Sequence, residues 1–164
     1  MRDLLKTLIK AGIPFGCVMG LLFGIIGGLL IGVISGIISG LFFGLILGAF
    51  MEWQKKKFNK QGLEITGGKP IVYSGGANHF QGSEGVGGWM FLTDDELIFK
   101  SHSFNFQNHK TVILLSQIDK VVGRKSLGII PNGLLIVQKN GQSDKFVVNN
   151  RKNWLEKIRE LQSK

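Results

Sequence analysis

The sequence predicts an α+β, mostly β fold, in which an N-terminal transmembrane helical hairpin precedes a domain of about seven antiparallel strands that ends in a helix. Residues 11–51 contain no Asp, Glu, Lys, Arg or His, as expected of a membrane segment. From residue 63, short apolar runs alternate with turn residues, which indicates strands. Residues 149–162 have the apolar spacing of an amphipathic helix. The predicted divisions are a basic flank at 1–10, the apolar segment at 11–51, a basic linker at 52–62 and the domain at 63–164.

The apolar segment is too long for a single perpendicular span. A helix over residues 11–51 would be roughly 60 Å long, about twice the hydrocarbon thickness of a bilayer. A hairpin would keep the basic residues at both ends of the segment in the cytoplasm. One long kinked helix is the alternative, because only Gly27, Gly28 and Gly32 interrupt the midpoint. The length and the lack of an Ala-x-Ala-like site argue against a cleaved signal peptide.

Glycine recurs at every fourth position through this segment. The ten glycines are Gly12, Gly16, Gly20, Gly24, Gly28, Gly32, Gly36, Gly40, Gly44 and Gly48. In lipid, glycines four residues apart leave a groove that a second helix backbone can approach. A period of four drifts by ~40° per step around an ideal helix. This drift predicts contacts on more than one side, and therefore a homo-oligomer such as a ring of hairpins. The alternative is a lone hairpin whose arms pack on each other.

Positive charge concentrates beside the apolar segment. The formal net charge is +9, and residues 1–60 carry seven Lys and Arg against two acidic residues. This placement favours membrane lipids, and anionic lipid in particular, as the partner over nucleic acid. Trp53 and Phe58 bracket the basic run of the linker, which suits an anchor at headgroup level. The lipid-binding candidates are Lys55, Lys56, Lys57 and Lys60 beside the segment, and Arg124 and Lys125 in the domain.

The strands of the domain follow from its turn signals. LEIT and PIVYSG are expected to come first, before a hairpin of GGWMFLT and ELIFKS that turns at Thr93–Asp95. KTVILL follows the polar loop HSFNFQNH, and KVVGRKS comes next. Turns are then expected at IPNG and at NGQ, on either side of LLIVQK. After KFVVN, the final helix has Asn149 or Asn150 as its N-cap and places Trp154, Leu155, Ile158 and Leu161 on its apolar face.

This order resembles the GRAM and pleckstrin-homology superfold over about residues 63–162. ANHF at 77–80 and GVGGWMFLTDDELIFKSHSFNFQNH at 85–109 are similar to the bacterial GRAM-type pattern of a glycine-rich first hairpin. The turn residues of that pattern correspond here to Leu92, Thr93, Leu97 and Phe99. LLSQI at 114–118 and Trp154 also correspond to it. Seven or so antiparallel strands and a terminal helix describe a small barrel or two orthogonal sheets, with the helix packed over one end. The resemblance leaves lipid binding, protein binding and scaffolding all open.

No pattern in the sequence points to catalysis, a metal or a cofactor. His79, His102 and His109 lack the spacing of a zinc site, and the last two are interpreted as surface or loop-packing residues. The glycine-rich stretch at 75–88 lacks the ending of a phosphate-binding loop. The consecutive acids at 94–96 are interpreted as solvated turn residues. The sequence therefore favours a non-enzymatic protein without a cofactor.

The leading functional hypothesis is a membrane-anchored adaptor or scaffold. Its glycine-spaced helices would self-associate, and its domain would bind anionic lipid or a cytoplasmic protein partner. The expected location is a bacterial cytoplasmic (inner) membrane, with the C-terminal domain in the cytoplasm. The alternative is a pore-forming effector whose domain senses or gates. Ser35 and Ser39 are the only polar lining that residues 11–51 offer, which weakens that alternative.

Overall fold

The computed structural model describes residues 2–82, 84–102, 109–126 and 128–163, with side chains from residue 5 onward. Within it the chain divides into two compact units, Met1–Lys57 and Phe58–Lys164. The first unit is helical. The second contains a seven-stranded sheet and a C-terminal helix.

The first arm of the helical unit is a helix with one widened turn. It comprises α1 (Arg2–Thr7), a π-helical turn (Leu8–Gly12) and α2 (Ile13–Gly27). Pro14 lies at the start of α2. Proline has no backbone N–H, and its ring clashes with the carbonyl four residues earlier. The π-helical turn ends at Gly12, two residues before Pro14, so two features that disturb a regular helix lie close together here.

The second arm, α3 (Leu29–Ile65), begins after a one-residue break at Gly28. Gly28 has φ 86°, a backbone conformation that glycine adopts far more readily than other residues. The two arms run antiparallel. Gly12 lies beside Gly40, whereas Gly20, closer to the turn, lies beside Gly32. The structure is therefore a hairpin and not a single kinked helix. By length and composition, the segments Leu5–Gly27 and Leu29–Ile65 are each sufficient to cross a membrane.

The end of α3 corrects the prediction of a strand at LEIT. Residues 63–65 form the last turn of the helix, and Thr66 continues its hydrogen bonding through a 2.9 Å bond from its N–H to Gly62 O. Gly67 and Gly68 both have positive φ, and Gly68 N donates to Leu63 O at 2.6 Å, as in glycine C-caps. The double glycine therefore ends a helix, where the apolar spacing of LEIT suggested a strand.

Seven antiparallel strands form one curled sheet in the order β4-β3-β2-β1-β7-β6-β5. The strands are β1 (Tyr73–Gln81), β2 (Glu84–Leu92), β3 (Glu96–Ser101), β4 (Lys110–Leu114), β5 (Ile118–Ser126), β6 (Ile130–Gln138) and β7 (Ser143–Val148). A 3₁₀ turn, Leu115–Gln117, links β4 to β5. Strand β1 joins strands β2–β4 to strands β5–β7, because it pairs with both β2 and β7.

The turns match the sequence in two places and differ in one. The turn at Thr93–Asp95 is confirmed, with Thr93 N donating to Glu96 O at 2.9 Å. The turn at NGQ is confirmed at Gly141, whose φ is 86°. The IPNG prediction is wrong, because these residues are the start of β6, and the positive φ of that connection lies at Gly128. The polar loop of HSFNFQNH falls largely on residues 103–108, outside the described residues.

The core of the second unit lies between the sheet and α4 (Arg151–Gln162). Trp154 and Ile158 are buried there, as the helix periodicity predicted, and Trp154 packs edge-on against Tyr73 with ring centroids 4.7 Å apart. Asn150 is the N-cap, but its backbone is left-handed and its side chain makes no capping bond. The predicted fold class is confirmed: long apolar N-terminal helices precede a seven-stranded antiparallel sheet with a terminal helix.

Candidate functional site

The two arms of the hairpin approach each other closely along their glycines. An ideal Cβ built on Gly16 would lie 2.6 Å from Gly36 O, and one on Gly12 would lie 2.7 Å from Gly40 O. Because real Cβ atoms do not approach a backbone oxygen that closely, a side chain at either position would force the arms apart. More space is available at Gly24, where an ideal Cβ would lie 3.6 Å from Gly32 Cα. Seven of the ten glycines also line one open groove of about 1110 Å³: Gly12, Gly16, Gly20, Gly24, Gly32, Gly36 and Gly40.

The glycine series is divided into two runs by the turn. Gly28, predicted as a packing position, has no atom within 4 Å of its ideal Cβ and forms the turn instead. Each arm carries its own run of glycines facing the other arm. The rotation of the glycine positions around the helix, ~40° per step, therefore accumulates only over the few glycines of one arm. Gly48 is buried.

The outer surface of the hairpin is apolar. Ile25, Ile26 and Leu29 are each 84% exposed, and large exposed apolar side chains continue along both arms. Ser35 and Ser39 do not change this surface, because their hydroxyls donate to the carbonyls of Ile31 and Ser35, each at 2.6 Å. Such back-bonding satisfies a hydroxyl within its own helix.

The basic candidates beside the apolar segment lie on the continuation of α3. Lys55, Lys56 and Lys60 are exposed, and Lys56 lies 4.0 Å from Glu52 one turn earlier. Lys57 Nζ lies 5.6 Å from the centroid of the Trp53 ring, within range of a cation–π contact. The helix therefore carries an aromatic residue and a run of lysines directly after its apolar part.

The two basic candidates of the domain lie near the end of β5. Arg124 and Lys125 are both exposed, and Arg124 pairs with Gly133 of β6. The main chain here is tied to α4, because Arg151 Nη1 donates to Arg124 O at 2.6 Å. The side chains of Arg124 and Lys125 thus project from a hairpin whose backbone is held in place.

A buried polar chain in the sheet was missed by the sequence reasoning. His79 Nε2 lies 3.0 Å from Asp144 Oδ1, and Gln138 Nε2 donates to Asp144 Oδ2 at 3.1 Å. With a carboxylate as acceptor, His79 donates through Nε2, and its Nδ1 lies within hydrogen-bond distance of His109 Nε2, at 3.1 Å. His109 is therefore a packing residue of this chain, whereas His79 is a core residue, 4% exposed. Among the described residues, no group of His, Cys, Asp and Glu is arranged to hold a metal ion.

A lysine anchors the connection between α3 and β1 to the turn between β2 and β3. Lys69 Nζ lies 2.6 Å from Asp95 Oδ2 and 3.1 Å from Glu96 Oε1. The hydrogen bond from Lys69 lowers the pKa of Asp95, and the bond to Asp95 raises the pKa of Lys69. Two of the three acids that the sequence suggested were solvated turn residues, Asp95 and Glu96, therefore pair with the lysine of this connection.

Comparisons with known proteins find a likeness among solved structures only. No known protein family and no curated protein matches the sequence. Among solved structures, the C-terminal domain of an unknown protein from Leishmania infantum is 15% identical, with a TM-score of 0.56 over 66% of this chain and 98% of that chain. The Slm1 PH domain in complex with phosphoserine is 17% identical, with a TM-score of 0.45 over 57% of this chain and 97% of that one.

A third solved structure, the N-terminal PH domain of human ARAP2, is 18% identical, with a TM-score of 0.44 over 55% of this chain and 77% of that one. At such identities these likenesses concern the fold alone. The second unit has the seven antiparallel strands and the terminal helix predicted for it, and PH domains are among the solved structures to which it is similar. The narrower GRAM assignment and a bacterial origin stay predictions.

Proposed function

We propose that the chain is a non-enzymatic, membrane-anchored adaptor whose hairpin inserts into a bilayer and self-associates, and whose sheet domain binds anionic lipid or a protein partner at the cytoplasmic face. The observation that carries the proposal is the outer surface of the hairpin. Isoleucine and leucine side chains that are more than four-fifths exposed cover its turn. A surface of this extent is unfavourable in water and favourable in lipid.

The backbone of the hairpin supports insertion. Each arm is helical, with a single break at Gly28, so nearly all of its peptide groups are hydrogen-bonded within their own helix, as the hydrocarbon core requires. Inside lipid, helix association depends on close packing and not on the hydrophobic effect. The backbone contacts at Gly12 and Gly16 supply such packing between the arms.

Self-association requires a further face, and the open groove supports it. The groove is lined by glycines of both arms and walled by residues such as Leu21 and Ile37. A small-residue floor between larger apolar walls is the kind of surface on which another transmembrane helix packs. A second hairpin is the occupant that we propose.

The structure of the hairpin does not favour the pore-forming alternative. Its two serines, Ser35 and Ser39, direct their hydroxyls to carbonyls of their own helix, which leaves them poor water-lining groups. The two functions differ in one measurement, the release of a trapped dye from vesicles that contain the full chain. The adaptor hypothesis expects no release above that of vesicles with an unrelated membrane protein.

The test of the proposed function is the topology of the full chain. Cys17 is the only cysteine, so Cys17→Ala provides a background into which Leu5→Cys or Lys60→Cys is introduced. A membrane-impermeant maleimide should label both positions from the cytoplasmic side only, because basic flanks stay in the cytoplasm. The protein should also stay in the membrane during alkaline carbonate washing. Labelling from opposite sides, or release by carbonate, would overturn the hairpin anchor.

A further inference from the structure

The tip of the β5–β6 hairpin exposes large apolar side chains to solvent. Ile129 is 77% exposed, more than any other large apolar residue described in the second unit, and Ile130 is 46% exposed. On the same strand, Leu134 and Ile136 are fully buried in the core. The isoleucines at the tip therefore contribute little to the packing of the domain and are available for contact with another surface.

The backbone on either side of this tip is held firmly. Ser126 Oγ hydrogen-bonds to Asn132 Oδ1 across the hairpin, and Ile129 N donates to Ser126 O at 3.2 Å. An ideal Cβ on Gly133 would lie 2.9 Å from Arg124 O, so the two strands are closely apposed. The apolar side chains of Ile129 and Ile130 are thus presented beside closely paired strands, and they lie outside the packed core.

Basic side chains accompany the apolar ones. Arg124 and Lys125 are exposed on the strand that enters the turn, and residues 120–138 contain three basic residues and no Asp or Glu. The packed helix α4 adds a further cation, since Arg151 donates to Arg124 O. Exposed isoleucines next to an excess of positive charge suit the boundary of an anionic membrane, where apolar side chains meet the acyl region and basic side chains meet the phosphates.

We infer that the β5–β6 tip, defined by Arg124, Lys125, Ile129 and Ile130, docks on the surface of an anionic bilayer, with the two isoleucines entering the acyl boundary and the two bases at the phosphate level. The inference rests on the proposed function in one respect, because insertion of the hairpin tethers the domain to the same membrane. Tethering makes docking intramolecular, so even a small tip reaches a high effective concentration of its ligand.

A bilayer fits the tip better than a protein partner does. The tip exposes two large apolar side chains, Ile129 and Ile130, whereas stable protein interfaces bury about 800 Å² on each partner. A membrane needs no such area once the chain is anchored, since each basic residue near an anionic surface and each buried isoleucine adds its own increment.

The experiment uses the full chain in vesicles of phosphatidylcholine, with and without phosphatidylglycerol. In the Cys17→Ala background, Ile129→Cys carries a nitroxide label, and electron paramagnetic resonance measures its accessibility to oxygen and to a water-soluble nickel complex. Asn140→Cys, at the exposed β6–β7 turn, is the matched control site. Arg124→Gln with Lys125→Gln tests the contribution of charge.

Docking predicts that the label at 129 gains oxygen accessibility and loses nickel accessibility in the anionic vesicles, while the label at 140 stays in water. Removal of the bases should lower the docking equilibrium by roughly fivefold for each charge. A label at 129 that stays in water would overturn the inference, as would equal burial in neutral vesicles. Loss of access to both reagents would indicate a protein contact and would overturn it as well.

The failure of this inference is distinguishable from a failure of the proposed function. The hairpin anchor is tested separately, by carbonate washing of the same vesicles. If the protein stays in the membrane and the label at 129 remains accessible to nickel, the anchor stands and the docking of the tip is wrong.

Discussion

Asp144 holds together the buried polar chain of the sheet domain. Its carboxylate accepts from both His79 and Gln138, and it is 6% exposed. Asp144→Ala would leave two buried N–H groups without an acceptor, so we expect a loss of about 3 kcal/mol in the free energy of unfolding. The measurement is urea unfolding of the full chain in detergent, followed by tryptophan fluorescence.

The control for this variant is its neighbour in the chain. Ser143 is exposed, and Ser143→Ala should change stability by less than about 0.5 kcal/mol. If Asp144→Ala unfolds at the same urea concentration as Ser143→Ala, the polar chain contributes nothing to stability and its role has been misjudged.

The ion pair of Lys69 gives a pH dependence with a definite sign. Its hydrogen bond lowers the pKa of Asp95, so the stability that Asp95 contributes is present above the ordinary carboxyl pKa and is lost as pH falls through the lowered value. The pKa of Lys69 is raised, so its contribution is lost only as pH rises through that higher value. Lys69→Met should therefore be less stable than the parent at neutral pH. The stabilities of the two proteins should converge well below about pH 4.

Salt separates this ion pair from a packing effect. Both groups are solvent-accessible, so added salt should reduce the difference between Lys69→Met and the parent. Thermal unfolding over a series of pH values and salt concentrations measures it. A difference that persists unchanged in strong acid would show that the stem of the lysine, and not its charge, stabilises the connection.

At the scale of the element, the hairpin depends on two kinds of glycine. Gly16 faces a backbone oxygen at 2.6 Å from its ideal Cβ, whereas the nearest atom to Gly24 is at 3.6 Å. Since a backbone oxygen cannot rotate away, Gly16→Ala should force the arms apart at a cost of about 1–3 kcal/mol. Gly24→Ala adds the same methyl group to the same arm and should be tolerated.

The closeness of the arms can be read from a crosslink at their ends. Thr7 Oγ1 lies 4.0 Å from Met51 Sδ, so Thr7→Cys with Met51→Cys in the Cys17→Ala background should be joined by a short bifunctional thiol-reactive crosslinker. We expect the yield to fall with Gly16→Ala and to persist with Gly24→Ala. Equal yields in the two variants would mean that the glycine contacts do not govern the packing of the arms.

At the scale of the whole molecule, the boundary of the folded sheet domain lies earlier than the apolar pattern suggests. Phe58 is 3% exposed and stacks on Trp89, with ring centroids 5.5 Å apart. Phe91 and Ile98 complete this second cluster on the sheet. A fragment of residues 52–164 should therefore be soluble, β-rich and cooperatively folded, whereas residues 66–164 would expose the cluster to water.

The contribution of this cluster to the stability of the domain can be measured by removing one side chain. Phe58→Ala in the fragment 52–164 should reduce the free energy of unfolding by about 3 kcal/mol, while Asn59→Ala, at an exposed position, should not. Urea unfolding with near-UV circular dichroism measures both. Equal stability of the fragments 52–164 and 66–164 would show that the end of α3 is dispensable to the domain.

The parts of the fold that the sequence predicted are those with a local cause. The apolar run at 11–51 and the face formed by Trp154 and Ile158 follow from spacing along a helix. The turn at Gly141 follows from the backbone freedom of glycine in a tight turn. The predictions of a strand at LEIT and of a turn at IPNG were wrong for the same reason. Short apolar runs and turn residues are compatible with more than one local structure, and contacts with the rest of the fold decide between them.

What the sequence by itself determined is the type of each element: an apolar helical segment with glycine at every fourth residue, a set of antiparallel strands and a terminal amphipathic helix. Periodicity and turn chemistry act over a few residues, so they can be read along the chain. The tertiary structure decided which groups meet. Gly16 meets Gly36 because Gly28 reverses the chain, and His79 meets Asp144, 65 residues away, because β1 pairs with β7 in one register. Such contacts depend on long-range pairing, and a shift of one residue would turn these side chains to the other face of the sheet.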